Sequence, residues 1–138
     1  MIVVADRRLG LAQDLLTRVD QVLTAMAAVG HPMFIVQGLR TAAAQHELWR
    51  QGREIPGPDM SADRPLGRVV TYCDGITRKS NHQAGLDDVG HAVDCAFVKG
   101  EPFGETQPWL LYGLLGETVG LKWGGRWKHP VDRPHLEL

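Results

Sequence analysis

The most chemically suggestive stretch of the sequence is SNHQAGLDDVGHAVDCAF, residues 80–97, which contains two histidines, three aspartates and a cysteine. Imidazole, thiolate and carboxylate groups are the ligands that zinc prefers. A catalytic zinc site uses three such protein ligands and keeps a fourth position open for water. The stretch therefore predicts a metal site, and it leaves His82 and His91 as competing candidates for the histidine ligand.

The end of this stretch, HAVDCAF, has the composition of a strand. Alternation along a strand places His91 on one face and Asp94 on the other. Asp94 lies between small apolar residues, where an aspartate is costly to bury unless a cation or several hydrogen-bond donors meet it. We therefore expect Asp94 to meet a cation or a dense set of donors, and a ligand pair of His91 and Asp94 would require a twisted or bulged strand.

The C-terminal segment VDRPHLEL offers another histidine beside acidic residues. Pro134 cannot donate a backbone hydrogen bond, which suits an edge strand or the first residue of a strand. A short strand would place His135 and Glu137 on one face, so that the carboxylate could hold the imidazole ring in place. Asp132 lies just upstream and could reach the same region, although a polar chain end with a surface histidine is the alternative.

The remaining histidines and the cysteines are predicted to have ordinary packed or solvated roles. His31 falls in a helix-to-strand turn, His46 on a helix and His129 in a polar turn. Two cysteines without a secretory context are more often free thiols than a disulfide. Cys73 and Cys95 are therefore not expected to define the fold.

The elements that must position these residues follow from the apolar pattern and from glycine and proline punctuation. These features predict helices within 9–30, 41–52 and 107–120. They predict strands at 33–38, 90–98, 121–125 and 133–138. Thr41 is the expected N-cap of the second helix. Residues 53–79 form a long irregular connection, of a kind that is usually functional or mobile.

This order of elements lacks the regular strand and helix alternation of a doubly wound sheet. We therefore expect an α+β fold in which a small, mostly antiparallel sheet packs with about three helices. The length of 138 residues suits a single domain, 1–138, that buries one core without a disulfide framework.

The composition indicates which classes of binding partner to expect. The chain has 15 Lys and Arg against 16 Asp and Glu, so no basic surface argues for nucleic acid. No apolar run approaches the roughly 20 residues of a membrane-spanning helix. The N-terminal MIVVADRRLG has its apolar run before its arginines, the reverse of a secretory signal. We expect a monomer that is made in the cytoplasm without a signal peptide and binds neither nucleic acid nor membrane.

The motifs SNHQAG, GHAVD, WGGRW and DRPHLEL together resemble those of the zinc-dependent peptidoglycan peptidases of the M15 type. That family includes L-alanyl-D-glutamate endopeptidases used as phage endolysins and D-alanyl-D-alanine carboxypeptidases. Its pattern is Ser-x-His, then Gly-x-Ala-x-Asp, then a late Asp-x-x-His. The matching residues here are Ser80, His82, Gly90, Ala92, Asp94, Asp132 and His135, and upstream Arg40, Thr41 and Gln45. The resemblance runs from Gln37 to Leu138.

One departure from the pattern is the insertion QAGLDDV between His82 and Gly90. A rival alignment starts the second motif at Gly85 and makes Asp87 or Asp88 the ligand. We reject it because neither aspartate is followed by apolar strand residues. A longer loop is the simpler account, since each doubling of loop length costs only about 0.6 kcal/mol.

The resemblance implies a site in which His82, Asp94 and His135 hold Zn²⁺ and Asp132 acts as the general base. It implies that Arg40 and Gln45 stabilise the oxyanion or orient carboxylates of the substrate. Ser80 is expected to donate a local hydrogen bond that shapes the turn before His82.

The predicted function is a zinc endopeptidase that cuts the L-Ala-D-Glu bond of the peptidoglycan stem peptide. As a phage or prophage lysin it would act on the cell wall after release. One alternative is a D-Ala-D-Ala carboxypeptidase or dipeptidase. Another is a non-catalytic domain with a structural zinc held by Cys73, His82, His91 and Cys95. Trp123 and Trp127 belong either to the core or to the cleft, and the 53–79 connection forms a lid or a specificity wall.

Overall fold

A computed structural model describes residues 7–128 and 130–138, so the predicted turn position of His129 lies outside the described residues. The helices are α1 (Gln13–Ala28), α2 (Ala42–Arg50) and α3 (Trp109–Thr118). The strands are β1 (Met33–Gln37), β2 (Ala92–Phe97), β3 (Lys122–Trp123) and β4 (His135–Glu137). A short 3₁₀ turn, Gly124–Arg126, follows β3. The predicted α+β class is confirmed.

The four strands form one antiparallel sheet in the order β1-β2-β4-β3. The last strand of the chain therefore lies inside the sheet, between β2 and β3. Its register places His135 opposite Asp94 and Leu136 opposite Val93. Because side chains alternate along a strand, this register puts His135 and Asp94 on one face and the two apolar residues on the other.

The helices α1 and α3 cover the apolar face of the sheet. The stripe Leu15, Val19, Val22 and Met26 on α1 is buried, as its spacing predicts. Tyr112 on α3 is buried in the same core. No helix in the described part of the chain is long and apolar enough to cross a membrane.

The helix α2 begins immediately after Arg40 and Thr41. The Thr41 hydroxyl accepts a hydrogen bond from the Ala44 backbone N–H at 3.1 Å, which confirms the predicted N-cap. The buried side chain of this helix is Gln45. A fully buried side-chain amide on a short helix is expected to have hydrogen-bond partners, because burying it without them would be unfavourable.

The long connection between α2 and β2 is irregular but folds back on itself. The Gly57 N–H donates to the Leu66 carbonyl at 2.7 Å, and the Arg68 N–H donates to the Pro58 carbonyl at 2.7 Å. The outer part of this connection therefore forms a closed loop whose two ends meet.

Candidate active site

Three predicted ligands, His82, Asp94 and His135, come together on the sheet face that points away from the core. His82 Nε2 lies 3.4 Å from Asp94 Oδ1, and His135 Nδ1 lies 3.3 Å from the same oxygen. The two ring nitrogens are 3.1 Å apart. One metal ion could therefore contact all three atoms.

Two different parts of the fold deliver these groups. The pairing of β2 with β4 places Asp94 directly opposite His135. His82 comes from a turn that is tied to the start of α2, because the Arg40 N–H donates to the His82 carbonyl at 2.7 Å. The Ser80 hydroxyl oxygen accepts from the His82 N–H at 3.2 Å. The expectation that Ser80 donates this bond is therefore wrong, because the donor is the backbone amide of His82.

The outer nitrogen of each histidine ring is already occupied. His82 Nδ1 lies 2.9 Å from the Gly38 carbonyl oxygen, which can only accept, so Nδ1 carries the hydrogen. His135 Nε2 lies 2.8 Å from Glu137 Oε1 and donates to that carboxylate. In the neutral rings, His82 Nε2 and His135 Nδ1 therefore present lone pairs toward Asp94.

These groups fit a metal ion. Two imidazole lone pairs and a carboxylate oxygen face one point, and among the described residues Asp94 Oδ1 is buried without a hydrogen-bond partner. A buried carboxylate oxygen needs a cation or a donor. Two nitrogen ligands and one oxygen ligand suit zinc, with a fourth position left for water.

The pKa values of Asp94 and His135 reflect their close contact. Burial disfavours the Asp94 carboxylate, but the neighbouring His135 and His82 rings outweigh burial and lower the pKa of Asp94 below its ordinary value. Burial also disfavours charge on His135, yet Asp94 and Glu137 raise its pKa to about 9. A proton and a metal ion compete for the same lone pair, so metal binding would release this proton.

Glu137 holds the His135 ring. Burial raises the pKa of Glu137, but contacts with His135 and Asn81 more than offset it and lower the pKa below its ordinary value. The Asn81 amide donates to the second carboxylate oxygen of Glu137. The predicted shared face of His135 and Glu137 is thus present, and Glu137 supports the histidine ring without joining the three-residue cluster.

Asp132 lies beside the cluster, with its Oδ2 3.8 Å from His135 Nδ1. Burial and the nearby Asp94 carboxylate raise the pKa of Asp132 to about 6, against the opposing effect of His135. A carboxyl group with a pKa close to neutrality can both take and return a proton. The structure thus places the predicted general base where it can reach a water at the cluster.

Arg40 and Gln45 form one unit. Arg40 Nη1 donates to Gln45 Oε1 at 2.7 Å, and Arg40 Nη2 lies 3.6 Å from Asp94 Oδ2. The Gln45 amide donates to the Cys73 carbonyl at 2.8 Å and to the Thr71 hydroxyl at 3.2 Å. Gln45 is fully buried and is not among the residues that line the cavity, so it lies behind Arg40. The catalytic role predicted for it stays a prediction.

The competing ligands do not join the cluster. His91 Nε2 pairs with Asp87 at 2.8 Å on the inserted loop. Cys95 lies in the hydrophobic core, and Cys73 is a free thiol that lines the cavity. The structure therefore contradicts a closed site of Cys73, His82, His91 and Cys95, because Cys95 points to the opposite face of β2 from Asp94.

The cluster opens into a cavity of about 430 Å³. The two predicted alternatives for the tryptophans, core and cleft, each hold for one of them. Trp123 is buried in the core, whereas Trp127 lines the cavity with its ring centroid 4.7 Å from that of His135. Part of the long connection, including Val70 and Tyr72, lines the same cavity. The connection is therefore a wall of the site, in agreement with one of the two roles predicted for it.

Several functional contacts carry no sequence signal. The Gly38 carbonyl that fixes His82 is a backbone group, so no side chain identifies it. Asn81 could have been suspected because it lies next to His82, but its partner Glu137 is distant along the chain. The register of β4 creates that contact.

Residues 74–138, which include all three cluster residues and Asp132, match the peptidase M15 family model described as D-alanyl-D-alanine carboxypeptidase. Over 123 residues the chain is 29% identical to the peptidoglycan L-alanyl-D-glutamate endopeptidase CwlK of Bacillus subtilis (strain 168). That similarity covers 86% of this chain and 68% of the relative. The predicted resemblance to peptidases of the M15 type is confirmed by the family match over residues 74–138 and by the similarity to CwlK.

Two solved structures share the fold. The L-Ala D-Glu endopeptidase ChiX of Serratia marcescens has a TM-score of 0.61 and 23% identity, over 96% of this chain and 83% of that one. The vancomycin-resistance D,D-pentapeptidase VanY in complex with Zn(II) has a TM-score of 0.61 and 14% identity, over 92% of this chain and 71% of that one. At these identities the likeness supports the fold.

Proposed function

We propose that this chain is a zinc-dependent endopeptidase that hydrolyses the L-Ala-D-Glu bond of the peptidoglycan stem peptide. The observation that carries the proposal is the cluster of His82 Nε2, Asp94 Oδ1 and His135 Nδ1 in the wall of an open cavity. The choice of bond rests on the similarity to CwlK, which is named for that activity.

His82, Asp94 and His135 would hold the zinc ion. Bound zinc acts as a Lewis acid and lowers the pKa of water from 15.7 to about 7, which supplies a nucleophile at neutral pH. The carbonyl of Gly38 and the carboxylate of Glu137 orient the two rings. Such partners hold ligand histidines in one tautomer, and their loss typically weakens metal binding by about 10- to 100-fold.

Asp132 takes the proton of the attacking water and returns it to the nitrogen of the leaving D-Glu. This role requires a carboxylate close to both atoms, and Asp132 lines the cavity beside His135. Burial helps Asp132 to accept a proton, because it raises the pKa of the carboxyl group.

Arg40 stabilises the negative charge that develops on the carbonyl oxygen of the scissile bond. Its guanidinium lines the cavity and is held by Gln45 and Asp94. Burial lowers the pKa of Arg40, while the Asp94 carboxylate opposes that effect. A donor that is fixed before the reaction needs no reorganisation when charge appears, which is the main source of such stabilisation.

A second candidate is a D-Ala-D-Ala carboxypeptidase, because the matching family model carries that description. It would use the same cluster and base and differ in how the cavity holds the carboxyl end of the peptide. A role as a phage or prophage lysin, acting on the wall after release from the cytoplasm, stays a prediction.

A digestion of purified muropeptides tests the proposal. The protein is incubated with them after treatment with a chelator and after zinc is restored, and the new termini are identified by mass spectrometry. We expect new D-Glu amino termini in the zinc-loaded sample only. Release of D-Ala would establish the carboxypeptidase, and absence of any product with zinc bound would refute both activities.

A further inference from the structure

Arg78 and Lys79 are neighbouring cations in the wall of the active-site cavity. Both are exposed, and within residues 7–128 and 130–138 neither side chain has an ion pair or hydrogen bond. Some other surface arginines are paired. Arg50 pairs with two glutamates, and Arg126 pairs with Glu117. The cavity therefore contains two positive charges that the protein itself does not neutralise.

The turn that carries these cations, residues 74–80, is rigidly built. The Asp74 carboxylate accepts hydrogen bonds from the backbone N–H groups of Ile76, Thr77 and Arg78 at 2.9, 2.8 and 2.9 Å. The Thr77 hydroxyl donates to the same carboxylate. These bonds lower the pKa of Asp74 well below its ordinary range, so the turn keeps its anchor at neutral pH.

A second anchor fixes the other side of the turn. The side-chain NH₂ group of Gln83 donates to the Gly75 carbonyl at 3.1 Å. The side-chain oxygen of Gln83 accepts from the Ser80 N–H at 2.9 Å. Gln83 is buried and directly follows His82. The backbone that bears Arg78 and Lys79 is thus tied to the backbone that bears a candidate metal ligand. The backbone positions from which the two side chains extend into the cavity wall are therefore fixed, which reduces the backbone entropy lost on binding an anion.

The acidic groups that line the cavity are already engaged with the catalytic cluster. Asp94 and Asp132 lie against His135, and Glu137 accepts from it. None of them faces Arg78 or Lys79 in an ion pair. These two cations are therefore free to pair with an anionic group of a bound substrate.

We infer that Arg78 and Lys79 form a subsite for a carboxylate of the substrate, and this inference rests on the proposed peptidase function. A D-Glu residue on the leaving side of the scissile bond carries a free carboxylate beside that bond. Arginine binds carboxylates in a bidentate manner and lysine adds a second charge, so the pair selects an acidic residue at this position.

Two matched peptides test the subsite. Both contain the L-Ala-D-Glu bond, and they differ only in whether the D-Glu α-carboxyl group is free or converted to an amide. The variant R78Q/K79Q is compared with the wild type and with K99Q/K128Q, which removes two charges outside the cavity lining. All three proteins are loaded with zinc, and metal content and thermal unfolding are checked before the assays.

We expect R78Q/K79Q to lower kcat/KM for the free acid by about 10- to 100-fold, mainly through KM, as for loss of a charge-assisted hydrogen bond. The amide should be cleaved equally by the wild type and this variant. The control should behave as the wild type on both peptides. An equal loss on acid and amide, or no loss on the acid, would overturn the subsite.

Calorimetric binding of the free acid to zinc-loaded D132N and D132N/R78Q/K79Q separates this inference from the proposed function. Weaker binding after removal of the two cations supports the subsite even if the wild type cleaves neither peptide, and the endopeptidase proposal then fails alone. Equal binding to both proteins, or no binding to either, refutes the subsite. In that case cleavage of the acid by the wild type would leave the endopeptidase proposal standing.

Discussion

At the scale of the residue, His82 and His91 have the same chemistry and opposite surroundings. His82 is 2% exposed, and one ring nitrogen bonds a backbone carbonyl while the other faces Asp94. His91 is partly exposed and pairs with Asp87 on the inserted loop. A ligand histidine needs its second nitrogen fixed by an acceptor. Of these two histidines, His82 combines such a partner with a lone pair directed at the cluster, and His91 does not.

This difference predicts opposite effects of two alanine substitutions on zinc binding. H82A removes a ligand and should weaken zinc binding by more than about tenfold, since even loss of a supporting partner has an effect of that size. H91A removes a surface ion pair and should bind zinc as the wild type does. Zinc content after dialysis, measured by mass spectrometry, checks both. Loss of zinc from H91A with retention in H82A would reverse the assignment.

Asp132 allows a test that separates catalysis from metal binding. D132N keeps the shape of the side chain and cannot take a proton, so we expect kcat to fall by about 100- to 10,000-fold. Zinc content should not change, because Asp132 lies outside the three-residue cluster. The control D63N alters an exposed aspartate of the long connection and should keep its activity. Near-normal activity of D132N would exclude it as the base.

The sequence predicts the residue types of the site better than their partners. Asp94 and His135 stand out because a carboxylate and an imidazole occur on short strand-like segments. The environment of each group depends on contacts between distant parts of the chain. Gln45 shows the limit, because the family resemblance implies a role in catalysis, whereas its burial and its bonds to residues 71 and 73 cannot be read from the sequence.

At the scale of the element, the order of helices and strands is predictable because hydrophobic spacing and punctuation are local. The boundaries of the elements are less predictable. The first helix begins at Gln13, although the apolar pattern that predicts it starts at residue 9. The position of β4 between β2 and β3 is not predictable from local patterns, since it depends on pairing over long sequence separations. That pairing creates the Asp94 and His135 contact.

The strand β2 presents Asp94 to the site and Cys95 to the core, and the buried thiol gives a pH-dependent stability. Burial raises the pKa of Cys95 to about 12, against an ordinary value of 9.0. The folded state therefore keeps the proton while the unfolded chain loses it above pH 9.0. The contribution of the buried Cys95 thiol to the free energy of unfolding is complete below that pH and is lost as the pH rises toward 12.

The variant C95A isolates this effect. Between pH of about 8 and about 10, the wild type should lose about 1.4 kcal/mol more free energy of unfolding than C95A. Titrating groups that do not interact with Cys95 are present in both proteins, so their effects cancel in the difference. Urea denaturation at the two pH values measures it. A constant difference between the proteins would show that the thiol is not shielded from solvent.

At the scale of the whole molecule, the site lies where the sheet meets the long connection. Tyr72 and Val70 from the connection line the same cavity as the ligands from the sheet. The inner part of the connection is anchored, because Arg53 donates to the Thr71 carbonyl at 3.0 Å and stacks between Trp49 and Tyr72. The fold thus combines the cluster of candidate metal ligands with a wall from a different part of the chain.

The outer part of the connection, PGPDMSADRPLG at residues 56–67, has no role in delivering the ligands. Its ends lie together, since Gly57 and Leu66 share a backbone hydrogen bond, so its deletion should join the chain without opening the sheet. Arg68 would lose its partners Asp59 and the Pro58 carbonyl, and small displacements of a substrate wall reduce rates strongly. We expect about a tenfold or greater loss of activity on cell-wall peptides with zinc content unchanged. Zinc assays and peptide digestion of the deletion variant test this prediction. An equal loss of zinc content and activity would mean that the segment supports the candidate metal site.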